Sequence, residues 1–280
     1  MRLSREHIRA AYEDACRREI EALKPGNVHA FSDGHGMTSD QFITSARVSS
    51  GPLSDPDLPL GARILEAVRA TSEAVATNTN LGIVLLAAPL LRAAEMPGDS
   101  LRSNVDAVLQ ATGPKDTGSV FKAIVLASPG GLGAAENDVR EEPKVSLLEA
   151  MRQASGRDMV ARQYANGFKD VFDVGVKAID AALARGETGM WPAIFAYMAF
   201  FAEFPDSHVA RKHGEQIAEQ LRDEAAVINS TLHATAEEAA RLRLLMSFDR
   251  QLKARKINPG TSADLTVASL LVHSLVTVLH

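Results

Sequence analysis

One cysteine, one tryptophan and three tyrosines stand in a chain of 280 residues, and each scarcity excludes something. Cys16, being alone, cannot close an internal disulfide, which fits a reducing compartment. Aromatics make up only 5% of the residues while Ala, Leu, Arg and Glu dominate, so helix formers outnumber the residues that build sheets. No stretch offers the roughly 18 uninterrupted apolar residues of a membrane span. The tail from Leu265 comes closest, and Ser269, His273 and Ser274 interrupt it. No Pro/Ser/Gly-rich linker divides the sequence, so residues 1–280 are expected to form a single all-helical domain, although the length allows two. The N-terminus opens into a charged amphipathic pattern without the apolar core of a secretion signal, and a soluble cytoplasmic protein is expected. Net charge is -5 with the basic residues scattered, which argues against a nucleic-acid polymer as partner but leaves a nucleotide open.

Several motifs are missing as well. There is no His-Glu-x-x-His and no Cys-x-x-Cys, so the eight histidines do not suggest a tetrahedral zinc site. No Gly-x-Ser-x-Gly elbow marks a hydrolase nucleophile. The glycines between Ser128 and Gly133 fit neither the dinucleotide nor the P-loop pattern and read as the start of a loop reaching Pro143.

What is present is helical periodicity. Apolar positions recur at three- and four-residue spacing, as in Ile8, Ala11, Tyr12, Ala15 and Leu23. Helices are predicted over about 4–23, 39–49, 60–77, 80–94, 100–110, 117–127, 145–154, 157–185, 188–203, 206–232, 235–256 and 262–280. The fold class this implies is all-α, a multi-helix orthogonal bundle. Pro89 should bend the fourth helix.

Four polar segments stand at helix entrances or ends. The first runs from Glu21 through Lys24, Pro25, Gly26 and Asn27 to His29, with His35 just beyond. In the second, Asn78, Thr79 and Asn80 lead into an apolar helix whose free first-turn N–H groups suit phosphate or carboxylate. The third places Asp206 one turn before Arg211 and Lys212, and the fourth is the turn from Asn258 to Asp264. Each has a plainer reading. Asn78 or Thr79 could serve as caps, Asp206 with Arg211 as a solvated ion pair, and Thr261-x-x-Asp264 as a capping box. Glu21, Asp206 and Asp264 together form an oxygen-rich set suited to Mg²⁺.

These segments resemble, in order, the motifs of the triphosphoribosyl-dephospho-CoA synthase (CitG-like) family. Its Pro-Lys-Pro-Gly-Leu-Val-Asp turn is matched by Lys24 through His29, its Gly-Ala-His-x-Asp-Met element by Gly34 through Met37, and its Asn-Thr-His-Lys-Gly element by Asn78 through Gly82. Asp-Thr-x-x-x-x-Arg corresponds to Asp206 through Arg211, and the Pro-Gly-Gly-Ser-Ala-Asp-Leu motif, the most specific, to Asn258 through Leu265. His29 stands where the family has Asp, and Asn80-Leu81 where it has His-Lys, so one cation is missing. The variants Pro-Gly-Asn-Val-His and Asn-Thr-Asn-Leu-Gly-Ile look like a branch found in archaea and C1-metabolising bacteria. There the resemblance suggests a role beside tetrahydromethanopterin or methanofuran synthesis.

The resemblance implies a cytoplasmic transferase that moves the ribose-triphosphate of ATP to an acceptor hydroxyl and releases adenine. The acceptor would be dephospho-CoA or a tetrahydromethanopterin- or methanofuran-type precursor, and the protein a possible homo-oligomer. Mg²⁺ with Glu21, Asp206 and Asp264 would hold the triphosphate together with Lys24 and Arg211. Asn78, Thr79, Asn80 and Ser262 would bind ribose or phosphate, Asp264 would also act in catalysis, and His29 or His35 would be the general base. The alternatives are an ATP- or phosphate-binding hydrolase and a non-catalytic helical binding protein.

Overall fold

A computed structural model describes residues 3–98, 100–127 and 144–279, with side chains as far as residue 277. The loop expected from Ser128 to Pro143 lies outside the described residues.

The chain is all-α, as its periodicity implies, and among the described residues the only β pairing is two isolated bridges in the loop after the first helix. The helices are α1 (Arg5–Glu21), α2 (Ser39–Leu53), α3 (Leu60–Val75), α4 (Leu81–Ala94), α5 (Leu101–Gln110), α6 (Pro114–Ala127) and α7 (Leu147–Ala154). There follow α8 (Met159–Asn166), a π-helical turn (Val171–Val176), α9 (Lys177–Ala184), α10 (Trp191–Glu203), α11 (Ser207–His213), α12 (Glu215–Ala234), α13 (Glu238–Ala254) and α14 (Gly260–Leu279).

Two long helices expected from periodicity are broken. Residues 157–185 divide at Gly167, whose φ of 67° ends α8 in the left-handed conformation glycine tolerates. Residues 206–232 divide at Gly214, φ 93°, so that α11 is a separate element of seven residues. Apolar spacing continues through both breaks; positive-φ backbone at Gly167 and Phe168, and at Gly214, interrupts the helix. Helix starts follow cap chemistry more closely. Ser4, Ser100, Ser146, Asp158 and Asp206 each accept a first-turn backbone N–H on the side chain.

The last helix is the axis of the fold. Helix α14 packs against α1, α4, α10 and the π-helical turn, and Leu265, Val267, Ala268, Leu270, Leu271, Val272 and Leu275 are all buried. This accounts for its nearly unbroken apolar sequence: a helix surrounded on every side has no polar face to keep. Of the described residues, none belongs to a helix long and apolar enough to cross a membrane. Because α14 is central, its N-terminus is fixed among the ends of other helices. That is where the site lies.

Candidate active site

Four helix N-termini, those of α4, α8, α11 and α14, line one cavity of about 1170 Å³ together with the end of α1 and the loop that follows it. Each terminus turns the positive end of its dipole toward the cavity, although at α8 and α11 the first N–H groups are already taken by Ser207, Asp158, Asp206 and Thr261. The opposite wall is apolar, formed by Phe121 and Ile124 of α6 and Leu147 and Met151 of α7. The volume exceeds the roughly 300–1,000 Å³ typical of a site for one small ligand, so two substrates have room to meet.

Asp264 stands at the centre of the polar end. Helix α14 begins at Gly260, so Asp264 lies beyond the first turn and does not act as the acid of a capping box. Its carboxylate has no hydrogen-bond or ion-pair partner among the described residues, and it lies against Gly82 at the start of α4. Burial pushes its pKa well above the ordinary carboxylate value, with the nearby Glu19 and Asp206 carboxylates adding to the shift. Such a surrounding favours a proton on this carboxylate or a cation beside it.

Glu19 is the acidic residue that α1 brings to the cavity, and Glu21 is not. Glu19 is buried, lines the cavity and pairs with the Lys24 ammonium at 3.0 Å. Glu21, two residues on, is half exposed on the outer face and bound by Arg17 at 2.8 Å. At about 100° per residue the two project nearly opposite ways. The signal was in the sequence: Glu19 continues the buried stripe Ile8, Tyr12, Ala15, on which a charge is out of place.

Asp206 is also reassigned. One of its oxygens accepts from the N–H groups of His208 and Val209, and the other from the N–H and hydroxyl of Ser262, at 2.7–3.1 Å. It ties the starts of α11 and α14 together, leaving neither oxygen for a metal, and Ser262 is used in the same clasp. Among the described residues no group of three or more His, Cys, Asp and Glu side chains is placed to hold a metal ion. The trio Glu21, Asp206 and Asp264 is therefore not a ligand set.

Lys24 is fully buried, donating to the Val28 carbonyl at 2.6 Å as well as to Glu19, and does not line the cavity. Burial lowers its pKa and raises that of Glu19, each opposed by the other's charge. His29 is buried behind the loop, 3.4 Å from Asp249, and likewise does not line the cavity. His35 does. Its Nε2 lies 2.7 Å from the Gly26 carbonyl, which can only accept, so Nε2 carries the proton and Nδ1 is left as an acceptor. Burial holds its pKa below the ordinary 6.5.

Asn78, Thr79, Asn80 and Arg211 all line the cavity. Asn78 accepts the Leu81 N–H at 3.1 Å and so caps α4, Thr79 bonds Ser45, and Asn80 bonds Ser49. Arg211 pairs with Asp158 at 2.7 Å. Lys212, of the third polar segment, and Arg157, to which the sequence assigns no role, also line the cavity and have no acidic partner among the described residues. No spacing singles out Arg157, because only the tertiary fold brings the turn between α7 and α8 to the same cavity as the end of α11.

Helix termini, amide side chains and unpaired cations around a cavity of this size suit a phosphorylated small molecule. The chain matches the CitG family, ATP:dephospho-CoA triphosphoribosyl transferase, over residues 5–279, and belongs to it. It is thus a transferase of the class that moves the triphosphoribosyl group of ATP. A crystal structure from Archaeoglobus fulgidus, of a protein to which a triphosphoribosyl-dephospho-CoA synthase role has been ascribed, shares the fold. Its TM-score is 0.66, with 24% identity over 82% of this chain and 96% of that one. No curated protein matches.

Proposed function

We propose that the chain acts as a single cytoplasmic domain transferring triphosphoribose from ATP to an acceptor hydroxyl at this cavity, with Asp264 at its centre. One continuous core from Leu3 to Leu275 supports the single domain. The observation that carries the site is the unpartnered Asp264 carboxylate against the α4 N-terminus. It supplies the one protein carboxylate that Mg²⁺ needs when phosphates and water complete its shell, and Mg²⁺ would neutralise the triphosphate there. Arg157, Lys212 and the N-termini of α4 and α14 suit the phosphates, and Arg211, Asn78, Thr79 and Asn80 the ribose and phosphates at the same end.

The reaction is a displacement at C1′ of the ribose. His35, with Nδ1 free and its proton fixed on Nε2, suits removal of the acceptor's proton. Dephospho-CoA is the acceptor that the family implies. A specific observation favours a tetrahydromethanopterin- or methanofuran-type precursor as a second reading: Leu81 lines the cavity where the family element carries lysine. Incubation with ATP, Mg²⁺ and each acceptor, assayed for free adenine, tests both. Adenine with dephospho-CoA supports the first acceptor and adenine only with a pterin or furan precursor the second. ADP without adenine in every case refutes the transferase reading.

A further inference from the structure

The backbone of His35 is left-handed. Gly34 and Met37 exchange two backbone hydrogen bonds, at 2.9 and 3.3 Å, so His35 and Gly36 are the central residues of a tight turn, with φ of 55° and 75°. Positive φ at both is the pattern of a type I′ turn, where glycine and asparagine sit most readily. A bulkier residue persists there because its surroundings hold it.

What holds the imidazole is a carbonyl nine residues back. His35 Nε2 donates to Gly26 O at 2.7 Å. Gly26 is the third residue of a second tight turn, closed by the Asn27 N–H on the Lys24 carbonyl at 3.0 Å, with Pro25 second and a φ of 83° at Gly26. That is the residue choice of a type II turn. A side chain does not fit: a Cβ at Gly26 would stand 2.9 Å from Cδ of Pro259 and 3.0 Å from Cδ1 of Leu252.

The central peptide of this turn is clamped on both edges. Asp249 of α13 accepts the Gly26 N–H at 2.9 Å, and Tyr197 of α10 donates its hydroxyl to the Pro25 carbonyl at 2.7 Å. Both side chains are buried and neither lines the cavity. Asp249 also pairs with Lys253 at 3.1 Å and lies 3.4 Å from His29. Lys253 in turn donates to the Ser32 carbonyl at 3.0 Å, and its Cε lies 3.2 Å from the Cβ position of Gly34. Two residues one turn apart on α13 therefore grip the loop at both of its turns. Burial alone would raise the Asp249 pKa, but the bonds from His29 and Gly26 and the charge of Lys253 outweigh it and hold the pKa below the ordinary carboxylate value. The clamp is thus an ionised carboxylate, the stronger kind of acceptor for a backbone N–H.

We propose that Asp249 is a positioning residue for His35: by fixing the Gly26 peptide it holds the carbonyl that takes the Nε2 proton, and so keeps Nδ1 as the basic nitrogen. The assignment rests on the reading of His35 as the base and adds the group that aims it. Proton–nitrogen NMR of the full chain with labelled histidine tests it without any substrate. The wild type is expected to show the His35 Nε2 proton, slowed in its exchange with water by the hydrogen bond and identified by its loss in His35→Ala. Folded Asp249→Ala should lose the signal, and Asp249→Asn, whose amide oxygen still accepts the Gly26 N–H, should keep it. Tyr197→Phe frees the other edge of the same peptide and should shorten the lifetime of that proton about fivefold; it carries the test if Asp249→Ala does not fold.

Adenine release, with the acceptor active in the assay above, gives a second readout. In Asp249→Ala kcat should fall on the order of 10²-fold with little change in the KM for ATP, and Asp249→Asn should recover most of it. Added to His35→Ala, Asp249→Ala should cost nothing further. Absence of the Nε2 signal in the wild type, its persistence in folded Asp249→Ala, an unchanged lifetime in Tyr197→Phe where Asp249→Ala does not fold, or a full further loss of kcat in the His35→Ala background overturns the assignment and leaves the transferase reading standing. Undiminished kcat in His35→Ala overturns the base reading, and the assignment with it.

Discussion

The carboxylate of Asp264 occupies the space that a side chain at residue 82 would fill: its Oδ2 lies 2.0 Å from the Cβ position of Gly82. Two segments nearly two hundred residues apart are thereby joined through the lack of a single methyl group. Gly82→Ala favours the helix locally by about 1 kcal/mol yet drives Asp264 from its place. We expect a folded protein with turnover reduced on the order of 10²-fold, because positioning and charge are lost together. Adenine release beside a melting curve checks it; a fully active Gly82→Ala protein would show that Asp264 can move without consequence.

Asp264→Asn separates stability from activity. Burial and the neighbouring carboxylates raise this pKa, so the ionised form is disfavoured by the fold. The sign follows: a folded-state pKa above the unfolded one means stability is lost as pH rises from the ordinary carboxylate value through the raised one. An uncharged amide removes that loss. At pH 7 to 8, without ligand, the variant should melt above wild type by roughly 2–4 °C for each kcal/mol relieved, while turnover falls on the order of 10²-fold or more.

The histidines make opposite predictions. As a base, His35 must be unprotonated, and burial lowers its pKa from 6.5, so kcat/KM should hold at pH 6.5 and fall on a limb below it. His208, depressed to about 3, is neutral when folded but gains a proton when unfolded below pH 6.5, so its contribution to stability is lost as pH falls. His208→Gln has no such loss. Its melting temperature relative to wild type should rise by the equivalent of about 2 kcal/mol between pH 7 and pH 5, measured by circular dichroism across that range.

Lys24 and Lys212 should fail in different ways. Removing Lys24 leaves Glu19 buried without its partner, and Lys24→Met is expected to destabilise by about 3–5 kcal/mol. Lys212 faces the cavity without an acidic partner among the described residues. Lys212→Ala, like Arg157→Ala, should leave the melting temperature within about 2 °C of wild type and raise the KM for ATP. An unchanged KM in both would remove these cations from the phosphate site.

The sequence by itself determined the helices and the order of the polar segments between them. Those features depend on spacing, caps and turn residues a few positions apart, and periodicity registers them directly. Even Gly167 and Gly214, where the expected helices broke, are local signals that apolar spacing outweighed. The roles of individual charged side chains were decided only in three dimensions. Glu19 and Glu21 differ by two residues and half a turn of helix, and the packing of α1 on α14 decides which of them is inside. Asp206 looks like a metal ligand until α14 delivers the N–H and hydroxyl of Ser262 to it, after which both its oxygens are used. Asp264 looks like a cap until the helix start is fixed at Gly260 and its carboxylate is seen without a partner. A buried charge takes its meaning from what stands opposite it, and in this fold the opposing groups come from distant parts of the chain.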